Sequence, residues 1–299
     1  MTKIAIIGST SFLASYLIAD LEDENHELTL FSRQKTTENH QFISFSFPDS
    51  IPDLGVFLEF DVIVFAAAGG VQSSKKYSLD EIYQLNAFLP ITIANFLDAN
   101  NFKGKFITFG SYFEIGAQKS LKKFSEKEVA LSDYDVPNHY CLSKRLLTRF
   151  VNDSLAKIDH YHVILPSIYG KNENQNRLIP YLIESLEHKK ELELTAGTQI
   201  RQFLHIKDVC SFIMMLCHKN VEKGIYNLAS DTQNLVKDVV ELIFKHFNKD
   251  HNNALGKAKR QDESMQVILL DNKKAKDLGW NPTISLEEGI LDYFKKESK

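Results

Sequence analysis

Short apolar runs alternate with stretches of helical periodicity through the first half of the chain. The run at residues 3–7 ends at Gly8, and the apolar residues that follow recur at three- and four-residue spacing, which is typical of a helix. Further apolar runs occupy residues 27–31, 42–47, 61–65, 105–109 and 162–165, and a helical pattern spans residues 80–100. Strands that alternate with helices predict a parallel sheet covered on both faces. The sequence therefore predicts an α/β fold with a doubly wound parallel sheet.

The regular alternation ends near residue 165. Beyond it, helical patterns near residues 178–187 and after residues 209 and 235 are separated by short apolar runs. The first unit has the size of a Rossmann-type dinucleotide-binding sheet. We predict a dinucleotide-binding domain at residues 1–165 and a smaller, mainly substrate-binding lobe at residues 166–299, with segments that return to pack on the first domain.

Composition and charge exclude several classes of function. The 299 residues are 43% hydrophobic and 25% charged, as in soluble globular proteins. The net charge is -4 and the 35 basic residues are scattered, so no nucleic-acid partner is expected. No apolar run approaches the roughly 18 residues of a membrane span, so no membrane partner is expected. Cys141, Cys210 and Cys217 lack metal-ligand and disulfide spacing, which indicates a reducing, cytoplasmic location and no metal site.

The turn at Gly8 is the first candidate for ligand binding. It joins the first predicted strand to the first helix, where backbone N–H groups and the helix dipole can hold a pyrophosphate. Gly8 can adopt a positive φ, and Ser11, Phe12 and Leu13 follow it in the same turn. Because the segment has a single true glycine, a simple strand–helix turn is the alternative interpretation.

The end of the second predicted strand bears on the choice of cofactor. An acidic residue there would bind the ribose 2′-hydroxyl of NAD, but this chain has Ser32 followed by Arg33. Serine removes the charge that would repel a 2′-phosphate, and the Arg33 guanidinium can pair with one. The sequence favours NADP(H), with NAD(H) as the alternative if Arg33 only faces solvent.

A phenol and an ammonium group lie one helical turn apart. Tyr140 and Lys144 have i,i+4 spacing, which places them on one face of the helix predicted after Pro137. A neighbouring cation lowers the pKa of a tyrosine and lets it exchange a proton near neutral pH. The alternative is a surface pair without a function.

Ser111 follows the strand at residues 105–109. In an open parallel sheet the carboxyl ends of the strands face the ligand crevice. Ser111 can therefore donate a hydrogen bond to a substrate carbonyl, or it can cap its own turn.

Taken together, these residues resemble the NAD-dependent epimerase/dehydratase family, the extended short-chain dehydrogenases that modify nucleotide sugars. The resemblance covers nearly the whole chain. In the first half it includes the Gly8 turn, the run DVIVFAAA at residues 61–68, Asn86, Ser111, Tyr140 and Lys144. In the second half it includes LPSIYG at residues 165–170, RQFLHIKDV at residues 201–209 and DLGWNP at residues 277–282.

The resemblance implies roles for individual residues. The implied catalytic set is Ser111, Tyr140 and Lys144. The implied cofactor contacts, besides the Gly8 turn and the second strand, are Ala66, Ala67, Ala68, Asn86, Tyr140, Lys144 and Pro166, with Asn86 fixing the backbone near the site. The implied substrate contacts are Ser111, Tyr112, Ser167 and Arg201. Arg201 would hold the nucleotide diphosphate, or form a structural ion pair. A homodimer through the helix at residues 140–155 is also implied.

Departures from the family pattern narrow the reaction. Family dehydratases have an Asp-Glu pair directly after the Ser or Thr, whereas this chain has Tyr112 and Phe113. A 4,6-dehydratase is therefore disfavoured, and Phe113 cannot supply the additional acid/base of a C3 or C5 epimerase. The expected function is NADPH-dependent reduction of a 4-keto-6-deoxy nucleotide sugar. The alternatives are an NAD-dependent nucleotide-sugar 4-epimerase and a non-catalytic dinucleotide-sensing protein on the same fold.

Overall fold

The computed structural model describes residues 1–24, 26–47, 49–70, 76–154, 157–258 and 265–295. The strands are β1 Lys3–Ile7, β2 Glu27–Ser32, β3 Gln41–Ser44, β4 Val62–Phe65, β5 Lys105–Ser111, β6 Asp159–Leu165, β7 Ser167–Tyr169, β8 Ile200–Arg201, β9 Phe203–His205, β10 Gly224–Asn227 and β11 Asn234–Leu235. The helices are α1 Phe12–Asp23, α2 Leu79–Tyr83, α3 Leu89–Ala99, α4 Glu126–Ala130, α5 His139–Asp153, α6 Leu178–Glu187, α7 Ile206–His218, α8 Val236–His246, α9 Lys273–Asp277 and α10 Leu286–Asp292.

A seven-stranded parallel sheet forms the centre of the molecule, in the order β10-β6-β5-β4-β1-β2-β3. From β1 the chain moves outward through β2 and β3, and it then crosses to β4 on the other side of β1. Such a reversal opens a crevice at the carboxyl ends of the strands, here beside β1 and β4. The predicted doubly wound, Rossmann-type sheet is confirmed.

Both faces of the sheet are covered by helices. Ile4 and Ile6 of β1 pack in a core that includes residues of α1 and α7, whereas Ala5 and Ile7 pack in a second core with residues of α3. Successive strand residues face opposite sides, so a strand buried on both sides consists of apolar residues throughout. This explains why the apolar runs identified the strands.

The helical pattern at residues 80–100 is interrupted in the structure. α2 and α3 are joined by a wide π-helical turn at Gln84–Phe88, and Pro90 lies in the first turn of α3. Proline has no N–H group to donate to the preceding turn, and π turns are common at functional sites. The turn carries Asn86, one of the predicted site residues.

The second half of the chain contributes to both parts of the molecule. β10 pairs with β6 at the edge of the sheet, and α7 packs against α1. α6 and α8 pack together over a separate apolar core. The division into two domains at residue 165 stays a prediction. The predicted interface helix corresponds to α5, and Leu155 at the end of the predicted range lies outside the described residues.

None of the helices in the described parts of the chain is long and apolar enough to cross a bilayer.

Candidate active site

The turn after β1 allows a close approach of backbone and ligand. Gly8 has a φ of +83°, and a Cβ atom there would lie 2.5 Å from the backbone nitrogen of Ala67. Both features require glycine. Ser11 caps α1, and its hydroxyl accepts a hydrogen bond from the Ala14 N–H at 3.3 Å. The predicted residues Phe12 and Leu13 begin this helix, whose first N–H groups have no partner within the helix.

Ser9 adds a polar group to this turn that the sequence did not single out. Its side chain is buried, and its hydroxyl has no hydrogen-bond partner among the described residues. An unpaired buried hydroxyl costs about 1–3 kcal/mol, and a phosphate oxygen at the helix N-terminus would pair it. The glycine, the helix N-terminus and this hydroxyl together fit the pyrophosphate of a dinucleotide.

Asn86 fixes the chain that follows β4. Its Oδ1 accepts the Gly69 N–H at 2.9 Å, and its Nδ2 donates to the Gly69 carbonyl at 2.9 Å and to the Ser143 hydroxyl at 3.0 Å. These bonds tie the segment after β4, with Ala66–Ala68, to α5. Asn86 thus positions the backbone, and the cofactor contacts predicted for this segment stay predictions.

The end of β2 carries no carboxylate. Ser32 is buried, and its hydroxyl donates to the Gln34 carbonyl at 2.7 Å, while Arg33 is exposed. The Ser32 hydroxyl therefore serves the local turn. An exposed guanidinium at this end of the strand is compatible with a 2′-phosphate, and the preference for NADP(H) stays a prediction.

The end of β5 and the first turns of α5 bring the three predicted catalytic residues together. Ser111 is the last residue of β5, and its side chain lies beside the Tyr140 phenol, whose pKa it lowers against the larger effect of burial. Lys144 lies one turn further along α5, is buried, and donates from Nζ to the Phe109 carbonyl at 2.8 Å. Residues far apart in sequence therefore form one compact cluster.

Burial changes the proton affinity of this cluster. It raises the pKa of the Tyr140 phenol, and the neighbouring Ser111 side chain opposes the rise. It also lowers the pKa of the Lys144 ammonium to about 8. Burial has the largest effect on the pKa of Tyr140, so the expectation that Lys144 lowers this pKa stays a prediction. The phenol holds its proton at neutral pH.

Glu114 is a candidate that the sequence reading missed. Its side chain is 0% exposed, and its Oε1 accepts the Ser111 N–H at 2.7 Å. The Ser111 hydroxyl in turn accepts the Phe113 N–H at 3.4 Å, so Ser111 caps its own turn and also contacts Tyr140. Burial raises the pKa of the Glu114 carboxyl to about 7. The Ser-x-x-Glu spacing of a capping box is the signal that would have found it.

Tyr112 and Ser167 form a pair beside the cluster. Their hydroxyl oxygens are 2.7 Å apart, and Ser167 directly follows the buried Pro166. Tyr112 is 0% exposed, so it has no surface of its own to offer a substrate. The direct contact predicted for Tyr112 is therefore corrected to a supporting role, in which it holds the partly exposed Ser167.

Two arginines also bear on the candidate site. By its positive charge, Arg177 opposes the larger rise that burial causes in the pKa of Tyr112 and of Tyr140. It precedes α6 and pairs with Glu173 at 2.8 Å, and no spacing in the sequence pointed to it.

Arg201, the predicted diphosphate ligand, is buried, and its Nη1 donates to the Ile200 carbonyl at 2.9 Å and to the Gln266 carbonyl at 3.2 Å. Its guanidinium also lies 5.8 Å from the centre of the Phe113 ring. Arg201 thus lies next to the turn after Ser111, and its contact with a diphosphate stays a prediction.

A separate group of potential metal ligands lies where α1 and α7 end. The ligand atoms of Glu24, His26 and His218 lie within 4.8 Å of one another. The Glu24 carboxylate is 2.6 Å from Nε2 of His218 and 3.3 Å from Nε2 of His26. These residues lie at the amino edge of the sheet, opposite the edge that carries Ser111, and do not belong to the candidate active site.

Comparison with known proteins agrees with this geometry. Residues 4–229 match the NAD dependent epimerase/dehydratase family. The CDP-abequose synthase of Salmonella muenchen is 22% identical over an alignment of 298 positions that covers 96% of this chain and 95% of that protein. The UDP-glucuronic acid 4-epimerase from Bacillus cereus, solved with UDP-glucuronic acid and NAD, superposes with a TM-score of 0.82 at 19% identity over 98% of both chains. The dTDP-glucose 4,6-dehydratase from Bacillus anthracis, solved with NAD, superposes with a TM-score of 0.80 at 18% identity over 98% of this chain and 95% of that one.

The parallel sheet, the glycine turn after β1 and the Tyr140–Lys144 helix define an NAD(P)-dependent oxidoreductase of the extended short-chain dehydrogenase/reductase type. The chain belongs to the NAD-dependent epimerase/dehydratase family. The resemblance inferred from its sequence is confirmed, and the protein is an enzyme that uses a nicotinamide dinucleotide.

Proposed function

We propose that this enzyme uses NADPH to reduce the ketone of a 4-keto-6-deoxy nucleotide sugar. The observation that carries the proposal is the cluster of Ser111, Tyr140 and buried Lys144, with no acid/base available to a substrate at the two positions directly after Ser111. Tyr112 is fully buried and Phe113 is apolar. A ketone reduction needs one hydride donor and one proton donor, and the cluster supplies the latter.

The residues have separate tasks in this reaction. Bound NADPH supplies the hydride. The Gly8 turn and the first turn of α1 would hold its pyrophosphate, and Lys144 its nicotinamide ribose. Tyr140 gives its proton to the carbonyl oxygen, and Ser111 orients that oxygen by a hydrogen bond. The raised pKa of Tyr140 keeps the phenol protonated, which is the form that a reduction requires.

The substrate class is proposed from the relatives and from Arg201. The relatives described above are named for CDP-, UDP- and dTDP-linked sugars. All of these carry a diphosphate, for which a guanidinium is a suitable partner. Arg201 would bind that diphosphate, and Ser167, held by Tyr112, would contact the sugar side.

An NAD-dependent 4-epimerase is the second candidate. It is favoured by the structural neighbour named as a 4-epimerase, which was solved with NAD. The same three catalytic residues would oxidise and then re-reduce the sugar, so no cofactor would be consumed. A non-catalytic dinucleotide-sensing protein is disfavoured, because Ser111, Tyr140 and Lys144 are all present and clustered.

We also propose a homodimer that forms through α5. Leu142 and Leu146 lie one turn apart on this helix and are 42% and 38% exposed, so they present an apolar face. A second copy of the helix would cover that face. Light scattering at the monomer mass would contradict this.

The described cysteines are all free thiols, which supports a cytoplasmic location.

One experiment separates the candidate reactions. The purified protein is incubated with NADPH and a panel of 4-keto-6-deoxy sugars linked to CDP, UDP or dTDP, and NADPH absorbance is followed, with Tyr140→Phe as the control. Stoichiometric loss of NADPH with one substrate supports the reductase. Interconversion of 4-epimers without net cofactor change would establish the epimerase instead.

A further inference from the structure

Glu114 is an acid enclosed by the residues that build the catalytic cluster. Its side chain is 0% exposed, and its Oε1 accepts the Ser111 N–H at 2.7 Å. A Cβ atom at Gly110 would lie 2.5 Å from that oxygen and 2.7 Å from Nε2 of His162. The carboxyl group therefore lies against the end of β5, between the catalytic serine and the interior of the protein.

The histidine beside Gly110 does not supply positive charge to this carboxyl. Nδ1 of His162 lies 2.7 Å from the Thr108 hydroxyl, and its Nε2 lies 2.9 Å from the Thr148 hydroxyl. Burial holds the pKa of His162 well below its usual value. The imidazole is therefore neutral and serves as a hydrogen-bonding group.

The positive charge near Glu114 comes from α5. Lys144 and Arg145 both lower the pKa of Glu114, against the larger effect of burial. Arg145 donates from Nε to the Glu114 carbonyl at 2.8 Å and from Nη2 to the Ile115 carbonyl at 3.0 Å, so it is occupied by main-chain groups. Lys144 is buried like the carboxyl, and the two side chains bond to main-chain groups only two residues apart on β5, Lys144 to the Phe109 carbonyl at 2.8 Å and Glu114 to the Ser111 N–H at 2.7 Å. In keeping with this placement, Glu114 raises the pKa of Lys144 against the larger effect of burial.

Two further groups beside this carboxyl, the Cys141 thiol and the Tyr140 phenol, are uncharged near neutral pH. Burial raises the pKa of the Cys141 thiol to about 12 and also raises the pKa of the Tyr140 phenol. α4 packs on the same turn, and its buried residues are Val129 and Ala130. Lys144 is therefore the catalytic group to which the charge of the carboxylate matters most.

We propose that Glu114 is a positioning residue of the active site, whose carboxylate fixes the Ser111 backbone and is the internal counter-charge that keeps Lys144 protonated. The proposal rests on the proposed function only in that Lys144 holds the nicotinamide ribose. An isolated buried charge is costly, whereas a buried carboxylate and ammonium stabilise each other's charged form.

The pair predicts a narrow pH range for cofactor binding and turnover. Below about 7 Glu114 takes up a proton, and above about 8 Lys144 loses one. Both groups are charged only between these values, so cofactor binding and turnover should each show a bell-shaped dependence on pH. The acid and alkaline limbs of that curve report the coupled Glu114–Lys144 pair and not either residue alone.

The variant Glu114→Gln tests the charge, because it retains an oxygen for the Ser111 N–H. We expect the alkaline limb of NADPH binding, measured by fluorescence titration over a pH series, to move down by about one pH unit. The alkaline limb of the pH dependence of kcat should move by the same amount, with little change in KM for the sugar. Glu288→Gln is the matched control, since it removes the same charge from an exposed capping box and should leave both limbs in place.

An alkaline limb in Glu114→Gln that coincides with the wild-type limb would overturn the proposal. Because NADPH binding is measured without sugar, a shifted limb in a protein that reduces no 4-keto sugar would support the role of Glu114 and count against the proposed reaction alone. If Glu114→Gln does not fold, Glu114→Asp decides. This variant keeps the charge, but its side chain is too short to reach the Ser111 N–H. The proposal therefore requires that the alkaline limb of NADPH binding stays at the wild-type pH while kcat falls. Any other result overturns the proposal.

Discussion

Replacing Gly8 by alanine tests whether the turn after β1 is the cofactor site. The φ of +83° at Gly8 costs an alanine about 1 to 2 kcal/mol of folding free energy. The new Cβ would also lie 2.5 Å from the nitrogen and 2.6 Å from the Cα of Ala67. These are backbone atoms of the segment after β4, which cannot rotate away, and such overpacking costs about another 1 to 3 kcal/mol.

Gly279→Ala is a control with the same backbone strain. Gly279 has a φ of +90°, and a Cβ there would meet nothing within 4 Å. Urea denaturation should therefore show a loss of about 1 to 2 kcal/mol for Gly279→Ala and a larger loss for Gly8→Ala. The difference between the two variants isolates the close approach of the Gly8 turn to Ala67.

Cofactor binding gives the second measurement for this pair. Pushing the turn away from Ala67 displaces the N–H groups that would hold the pyrophosphate. Gly8→Ala should therefore raise the dissociation constants of both NADPH and NADH by at least about tenfold. Gly279→Ala should leave both dissociation constants unchanged. Equal stability losses in the two variants, together with wild-type cofactor affinity in Gly8→Ala, would refute the assignment of the turn.

Four further variants address the proposed chemistry. Tyr140→Phe should slow turnover by about 100-fold or more while cofactor affinity stays nearly constant in calorimetry, because only the transferable proton is lost; wild-type turnover would remove Tyr140 from the mechanism. Lys144→Met should reduce both turnover and cofactor affinity, and a loss of turnover alone would argue against its ribose contact. Arg201→Ala should weaken nucleotide-sugar binding without changing the NADPH dissociation constant, and the reverse pattern would move Arg201 out of the substrate site. Ser32→Asp combined with Arg33→Ala should lower NADPH affinity by about ten- to a hundredfold and favour NADH. If the wild type binds both cofactors equally and the double variant shows no shift, the epimerase becomes the better proposal.

The sheet could be predicted from the sequence because its strands are buried on both faces. The runs at residues 3–7, 61–65 and 105–109 correspond to β1, β4 and the first part of β5. β10 was missed, because its four residues carry no period long enough to separate a strand from a loop, and only pairing with β6 makes it part of the sheet. Likewise, nothing in the helical pattern of residues 80–100 marked the π turn that carries Asn86.

The candidate active site could be predicted only in part, because spacing identifies neighbours along one element. Tyr140 and Lys144 are one turn apart on α5, which the sequence shows directly. That the Ser111 side chain contacts Tyr140, and that Lys144 reaches the Phe109 carbonyl, depends on how α5 packs on β5. The burial of Tyr112, which removes it from direct substrate contact, is a consequence of the same packing.

Two glutamates with the same local motif show why the chemistry of a site depends on packing. Glu114 and Glu288 each complete a capping box, with Ser111 and Ser285 as the capping residues. Hydrogen bonds from Ser285 lower the pKa of Glu288, which is exposed, whereas burial raises the pKa of Glu114 to about 7. The motif specifies the bond between side chain and backbone in both cases, but only the residues packed around the turn decide whether the acid is charged at neutral pH. A carboxyl that can change its charge in this range lies against Ser111 and is buried with Lys144, both proposed as catalytic, so we expect the packing of α5 on this turn to determine how Lys144 responds to pH.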